Sequence, residues 1–312
     1  MVVEVTTEQD GQRLTTTMKM KQLAFSNFAQ FVHRWDPELL LHDDELEGRF
    51  HSNSRIELDF DHDAKPIFHG KVTTASSRVG FEQVAYRATR KQIFRGGLET
   101  GVKKIRMPKP KLLFGDAQTL ASQNTQLFTQ DTRIVFKPGG HYTWQTLSDG
   151  AINEQQGSIG DEPVYLMATA GTTLYVSGTV NGKVLVYSPR RIVIEGNLVY
   201  RSQQDDLLGL VSGRDVVIAD QETTGDGGLT IHGSIYAGRR FTVRDYSSDH
   251  AGTLTIVGSL SAGTLTATEP RYATRIVFDK RFETLRPPGF PVTDSFELTS
   301  LDLDWLATPL EN

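Results

Sequence analysis

Four copies of the pattern aliphatic-x-aliphatic-x-Gly-x-aliphatic run through the second half of this 312-residue chain, and few folds accommodate such a series. The copies are Leu174-Tyr-Val-Ser-Gly178-Thr-Val180, Ile192-Val-Ile-Glu-Gly196-Asn-Leu198, Leu229-Thr-Ile-His-Gly233-Ser-Ile235 and Leu254-Thr-Ile-Val-Gly258-Ser-Leu260. In each, alternate residues of a short strand face one way, a glycine follows, and one more aliphatic side chain turns inward. Glycine fits a corner that needs φ > 0 or a close approach of two backbones, so Gly178, Gly196, Gly233 and Gly258 are read as structural turns.

Second glycines at Gly182, Gly238 and Gly263 precede further alternating runs at Val184–Val186, Phe241–Val243 and Leu265. Val216-Val-Ile218 fits an additional coil whose corner glycine is replaced by Asp220. Clear copies start 18 to 37 residues apart, the length of one coil or of two with an insertion. An antiparallel β-sandwich also strings short strands between turns. It has no need to repeat side-chain types at fixed offsets from glycine, whereas stacked coils do. The expected fold is therefore all-β dominated: a single-stranded parallel β-helix, a right-handed β-solenoid with a short helical insertion and terminal caps.

Four regions are expected: an N-terminal β-cap with first coils (1–100), a linker (101–160) with a helix near 116–130, a core solenoid (161–268) and a C-terminal cap (269–312). Arg49-Phe-His-Ser-Asn53 with Ile56-Glu-Leu58, and Pro66-Ile-Phe-His-Gly70-Lys-Val72, are weaker copies of the repeat. Phe25, Phe28 and Phe31 read as core aromatics or a plug for the solenoid end. Asp116 is a candidate N-cap for the helix. Arg286-Pro-Pro-Gly-Phe-Pro291 cannot donate a full strand ladder and should stop the coils, letting 296–306 fold back as a cap.

The chemistry is sparse. A net charge of -5 lacks the basic excess of a nucleic-acid binder, and no nucleic-acid partner is expected. No window approaches the ~20 apolar residues needed to span a bilayer, so no membrane contact by this chain is expected. The absence of cysteine removes disulfides and thiolate chemistry. Glu57, Asp59, Asp61 and Asp63 alternate with apolar residues and would line one face of an extended segment. That makes them a candidate calcium site, although a solvated outer face explains the same pattern. No other cofactor is indicated.

His33, His42, His51, His62 and His69 show no pair at the spacing of a helical zinc motif. Lys103-Lys-Ile-Arg-Met-Pro-Lys-Pro-Lys111 reads as an exposed linker able to contact acidic partners. Asp205, Asp206, Asp215 and Asp220 could be imagined as the lateral carboxylates of a carbohydrate-active β-helix enzyme, but aspartate at turns has a simpler role. Nucleophile elbows and phosphate loops are absent, and no catalytic residue is assigned.

The series Phe50-His-Ser-Asn53, Pro66-Ile-Phe-His-Gly-Lys-Val-Thr73, Leu174-Tyr-Val-Ser-Gly-Thr-Val-Asn-Gly182, Asp206-Leu-Leu-Gly-Leu210 and Pro287-Pro-Gly-Phe-Pro291 resembles an uncharacterised bacterial envelope domain. In that family the domain follows a prepilin-like apolar helix in type IV pilus assembly and minor-pilin-like proteins. The resemblance covers most of the chain in order and implies a β-solenoid in the cell envelope or outside the cell, with envelope proteins, pilus proteins or surface glycans as partners. The apolar anchor helix is absent here, which is expected of an excised portion or of a soluble relative. The glycine-punctuated coils alone are also similar to bactofilins, which polymerise end to end.

Overall fold

The computed structural model describes residues 1–9, 12–36, 39–42, 44–59, 65–81, 86–108, 124–147, 154–248 and 252–306. Strands dominate it, 56% against 6% helix, and parallel coils stack into a β-solenoid of about nine turns, as the repeat predicts. Each full coil contributes a strand to three columns, here termed faces A, B and C.

On face A, Gln126, Leu166, Val186, Leu210, Ile235, Leu260, Gln30, Phe50, Val72 and Leu98 stand one above another. Face B stacks Ile134, Val176, Ile194, Ile218 and Val243. Face C stacks Leu198, Ile231, Ile256, Ile276, Leu46, Phe68 and Phe94. Because strand side chains alternate, one set from every face meets in a single dry lumen, where most of these residues are 0 to 5% exposed.

The stacking order differs from the chain order. Coils formed by 30–100 stand on top of coils formed by 125–278. The two runs are joined by a shared turn in which Tyr272–Phe278 supplies face C and Gln30–Val32 supplies face A. The chain climbs from this splice to Leu98–Thr100 and then returns down face A as an extended strap. Along the strap, Val102 N–H bonds Thr74 O, Ile105 pairs with Asn53, and the Tyr236 hydroxyl donates to Pro108 O. From Thr125 the chain climbs a second time to meet its own beginning.

The glycines mark two different corners. Gly178 and Gly196 sit where face B passes to face C, whereas Gly233 and Gly258 sit where face C passes to face A. The expectation that all four copies stack on one another is corrected. They stack in pairs, fully in register for the third and fourth copies, whereas a bulge in the first pair sets Gly178 against Leu198 instead of Gly196; Leu198 of the second copy lies beneath Ile231 of the third, because the insertion at 219–228 moves the motif on by one face. Gly258 has φ +151°, and a Cβ there would lie 1.8 Å from Gly233 O. Gly196 has ordinary φ, and its nearest neighbour to such a Cβ is 3.5 Å away, so its side-chain requirement is weak.

Several boundaries shift. Residues 109–123, and with them most of the expected helix near 116–130, lie outside the described residues, but Thr125–Phe128 is strand. The expected linker also contains Thr132–Lys137, a solenoid strand, and the antiparallel strands His141–Thr146 and Gln155–Ser158, which continue its outer edge. Tyr142 and Trp144 on this hairpin pack against Phe136 and Phe128 and close the lower end of the lumen. At the upper end, the helix Tyr86–Ile93 brings Ile93, fully buried, into the same core.

The C-terminal segment does not cap the coils. Val292–Leu306 pairs antiparallel with Gln12–Ala24, which pairs with Val2–Gln9, in a sheet separate from the solenoid. The phenylalanines at 25, 28 and 31 do not plug an end either. They join Leu185, Tyr187, Val211, Tyr236, Ile105 and Phe290 in a second apolar cluster on the outside of face A, beneath the strap and the Pro-rich segment. Proline there forfeits no ladder bond, since the segment lies over a sheet face instead of at a sheet edge.

Candidate functional site

Interest centres on the splice, where two runs of coil must match without a continuous chain. After Gln30–Val32, His33 N–H bonds Ala262 O and Arg34 N–H bonds Gly263 O, so the new run starts in register with the coil below. Past Arg34 the chain leaves the ladder: Trp35 Nε1–H donates to Leu39 O at 2.7 Å across a loop. It rejoins at Leu41, which bridges to Leu58. Among the described residues no ladder pairing joins Leu265 to Leu41, the face B residue of the coil that Gln30 begins, so face B is interrupted there. The gap opens a cavity of about 320 Å³ that reaches the lumen, with Leu265 and Phe241 on one side, Leu41 and Trp35 on the other, and Leu260 and Ile276 at depth.

On face A the splice is locked by a polar network. His51 is 1% exposed, stacked on Phe31 at 5.3 Å, and held by Thr73 Oγ1 at 2.7 Å and Asn53 Oδ1 at 2.9 Å. Burial pushes the His51 imidazole below its usual pKa, outweighing the Asn53 contact, and burial followed by the nearby Lys104 charge does the same to His33. A neutral His51 ring with its proton on Nε2 satisfies both contacts, donating to Asn53 and accepting from Thr73. Asn53 meanwhile accepts from Ile105 N–H at 2.8 Å and donates to Ile105 O at 2.6 Å, so one side chain serves the strap as a strand would. It also reaches His33 Nδ1 at 2.9 Å.

Beside the network a cleft of about 570 Å³ opens between strap and coils, bordered by Arg49, Lys71, Lys103, Glu283 and Glu297. Its charges are largely matched internally: Arg49 pairs with Glu297 at 3.0 Å and Lys71 with Glu99 at 2.8 Å. The Lys103–Lys111 segment is thus partly a packed strap, with Ile105 buried, and not wholly an exposed linker; 109–111 lie outside the described residues.

The remaining sequence candidates do not converge. Glu57 pairs with Arg55 at 2.8 Å, Asp59 N–H bonds Leu41 O, and Asp61 and Asp63 lie outside the described residues, as does His62. His69 pairs with Glu45 at 2.6 Å, and the His42 N–H bonds Asp44. Among the described residues no group of three or more His, Asp or Glu is placed to hold a metal.

Three of the four aspartates hold turns, and Asp215 opens the strand Asp215–Ile218. Asp206, 1% exposed, accepts from Gly182 and Ser202 N–H, and Asp205 accepts from Ser202 Oγ. Asp215 takes a bidentate contact from Arg239. Asp220 caps the short helix Gln221–Thr224, and its bond from Thr223 holds its carboxyl below the usual range. Sequence reasoning missed the cavity. Its one signal was that alternation stops between Arg34 and Leu41 while the runs on both sides keep it.

No family model matches the chain, and no curated protein matches it in sequence. Among solved structures, the crystal structure of the competence-associated pilin ComZ from Thermus thermophilus is similar at a TM-score of 0.42 and 12% identity, over 98% of this chain and 81% of that one. A likeness this loose carries no weight for what the chain does.

Proposed function

We propose that the chain is a non-catalytic structural or adhesive module of a bacterial cell envelope, associated with a type IV pilus-like system and binding envelope proteins, pilus proteins or surface glycans. The observation that supports it most is the sheet of Val2–Gln9, Gln12–Ala24 and Val292–Leu306, which gathers the first and last described strands into one element apart from the coils. That sheet exposes Val2, Val5, Phe296 and Leu298, each 43% or more accessible. Exposed apolar side chains beside free strand edges are suited to attachment. The envelope and pilus assignment itself rests on the resemblance of the motifs at 50–53, 66–73, 174–182, 206–210 and 287–291.

The engagement of Asp205, Asp206 and Asp220 in turns, and of Asp215 in an ion pair with Arg239, argues against a carbohydrate-active reading of those residues. End-to-end polymerisation is disfavoured because the lower edge of face B is continued by antiparallel strands and the upper coil carries a helix.

The test is mass spectrometry of cytosolic, membrane and mechanically sheared surface fractions of the native host, following peptides from residues 174–201. Enrichment in the membrane or sheared fraction is expected. Confinement to the cytosol sinks the reading.

A further inference from the structure

The cavity at the splice contains one group that the fold leaves unanswered. Gln30 lies on face A at the start of the upper run, stacked between Leu260 and Phe50. It is 4% exposed and lines the cavity. Its backbone N–H bonds Arg49 O, but among the described residues its carboxamide makes no hydrogen bond. The five positions beneath it in its column, Leu260, Ile235, Leu210, Val186 and Leu166, are aliphatic lumen residues, and the next polar one is Gln126 at the bottom. The amide atoms are not sealed off without a partner but stay accessible to the cavity, where a bound molecule can meet them.

The polar groups nearby are already engaged. Thr266 Oγ1 donates to Thr242 at 2.9 Å, and Thr268 contacts Thr274 at 2.8 Å. The wall is otherwise apolar, formed by Trp35, Leu41, Phe241, Leu260, Leu265 and Ile276. The polar side chains at the margin include the carboxylates Asp44, Glu45 and Glu269, and among the described residues no Lys or Arg lines the cavity. A volume of about 320 Å³ falls at the lower end of the range of small-molecule sites, which combine an apolar lining with few fixed polar groups.

We propose that the splice cavity is a binding site for an uncharged, mainly apolar small molecule of two or three rings that carries a single hydrogen-bonding group, and that the Gln30 carboxamide pairs with that group. The interruption of face B between Leu265 and Leu41 gives the molecule its entrance. The rim carboxylates repel anionic amphiphiles such as fatty acids, and the depth of Gln30 excludes a ligand whose polar group must stay hydrated.

The experiment titrates the purified full chain with N-phenyl-1-naphthylamine, an uncharged fluorescent probe with one N–H donor. Saturable binding at one site per chain is expected. Ala267→Trp, on the loop at the entrance, should weaken it at least tenfold without lowering the thermal midpoint, and Thr268→Trp serves if that variant fails to fold. Gln30→Leu should weaken the probe about three- to tenfold, the worth of one net hydrogen bond, while leaving naphthalene affinity unchanged. Unsaturable or absent binding, or binding indifferent to both entrance variants, overturns the site. Equal loss of the probe and naphthalene in Gln30→Leu overturns the role of the amide, and equally tight binding of 1-anilinonaphthalene-8-sulfonate overturns the exclusion of anions.

Discussion

The coils above and below the splice solve the same packing problem with different means. Below it, strands such as Arg191–Tyr200 and Leu229–Val243 run through corners, and the lumen is lined by Val, Ile and Leu stacked on their equivalents. Above it, strands are two or three residues long, as at Glu45–Leu46, Ile67–Phe68 and Val72–Thr74. The lumen there is filled by rings: Phe50 meets Phe68 edge-on at 5.2 Å, and Phe68 stacks on Phe94 at 5.3 Å. A short strand offers few ladder bonds per coil, so the upper region depends more on side-chain volume. Aromatic pairs add about 0.5–1.5 kcal/mol beyond the area they bury. A solenoid can therefore hold its rise with either backbone pairing or ring stacking.

Phe68→Ala tests the contrast most severely. Loss of a fully buried ring with contacts on both sides should cost about 3–5 kcal/mol, and hydrogen exchange should show amide protection falling over 45–100 while 174–243 stays protected. Equal loss of protection in both regions would mean that the coils unfold as one unit and that the contrast is only compositional.

Paired glycine substitutions sharpen the lower half of the comparison. Gly258→Ala forces a Cβ against Gly233 O from a backbone that L side chains rarely adopt, and chemical denaturation should show a loss of about 2–3 kcal/mol. Gly196→Ala, in the same motif with ordinary φ and only an ordinary contact with Ser177 Cβ at 3.5 Å, should change stability by less than about 1 kcal/mol in either direction. Similar costs for both would show that the motif, not the corner, makes the demand.

The smallest effect is a pH dependence. The folded-state pKa of His51 is depressed by burial, so above the ordinary imidazole value of 6.5 the ring is neutral in both states and contributes no slope. As pH falls below 6.5, the unfolded chain takes a proton that the fold resists, and stability declines. Denaturation midpoints from pH 7 to 5 should fall more steeply in the native protein than in His51→Gln. Identical slopes would place the acid sensitivity elsewhere, with His33 and His232, whose pKa values burial also lowers, the next to substitute.

The lower coils were legible because their repeat is both local and periodic. Leu174 predicts Ile192, and Leu229 predicts Leu254, from the glycine offset alone. The upper coils were partly legible, since Arg49–Asn53 and Pro66–Val72 keep the grammar in shortened form. Their place above residue 278 was not, because nothing local to Gln30 states that its neighbour is Leu260, 230 residues later. The outer cluster was hidden for a related reason: Phe25 and Phe290 cover Tyr236 through tertiary contact, and a run of three phenylalanines reads equally well as lumen or plug. The cavity needed both runs in place before the interrupted pairing of face B could be noticed.

The splice also fixes an order of events during synthesis. Residues 30–100 leave the ribosome long before 254–278, the shelf on which they stand. Long-range pairings of this kind delay folding, because loop closure must precede the contacts that reward it. The first coils to be made are thus the last to be seated, and Phe50, Phe68 and Phe94 face water until the final quarter of the chain arrives. The newborn protein is most exposed to aggregation in its aromatic, N-terminal third, where a holding chaperone would find its binding sites.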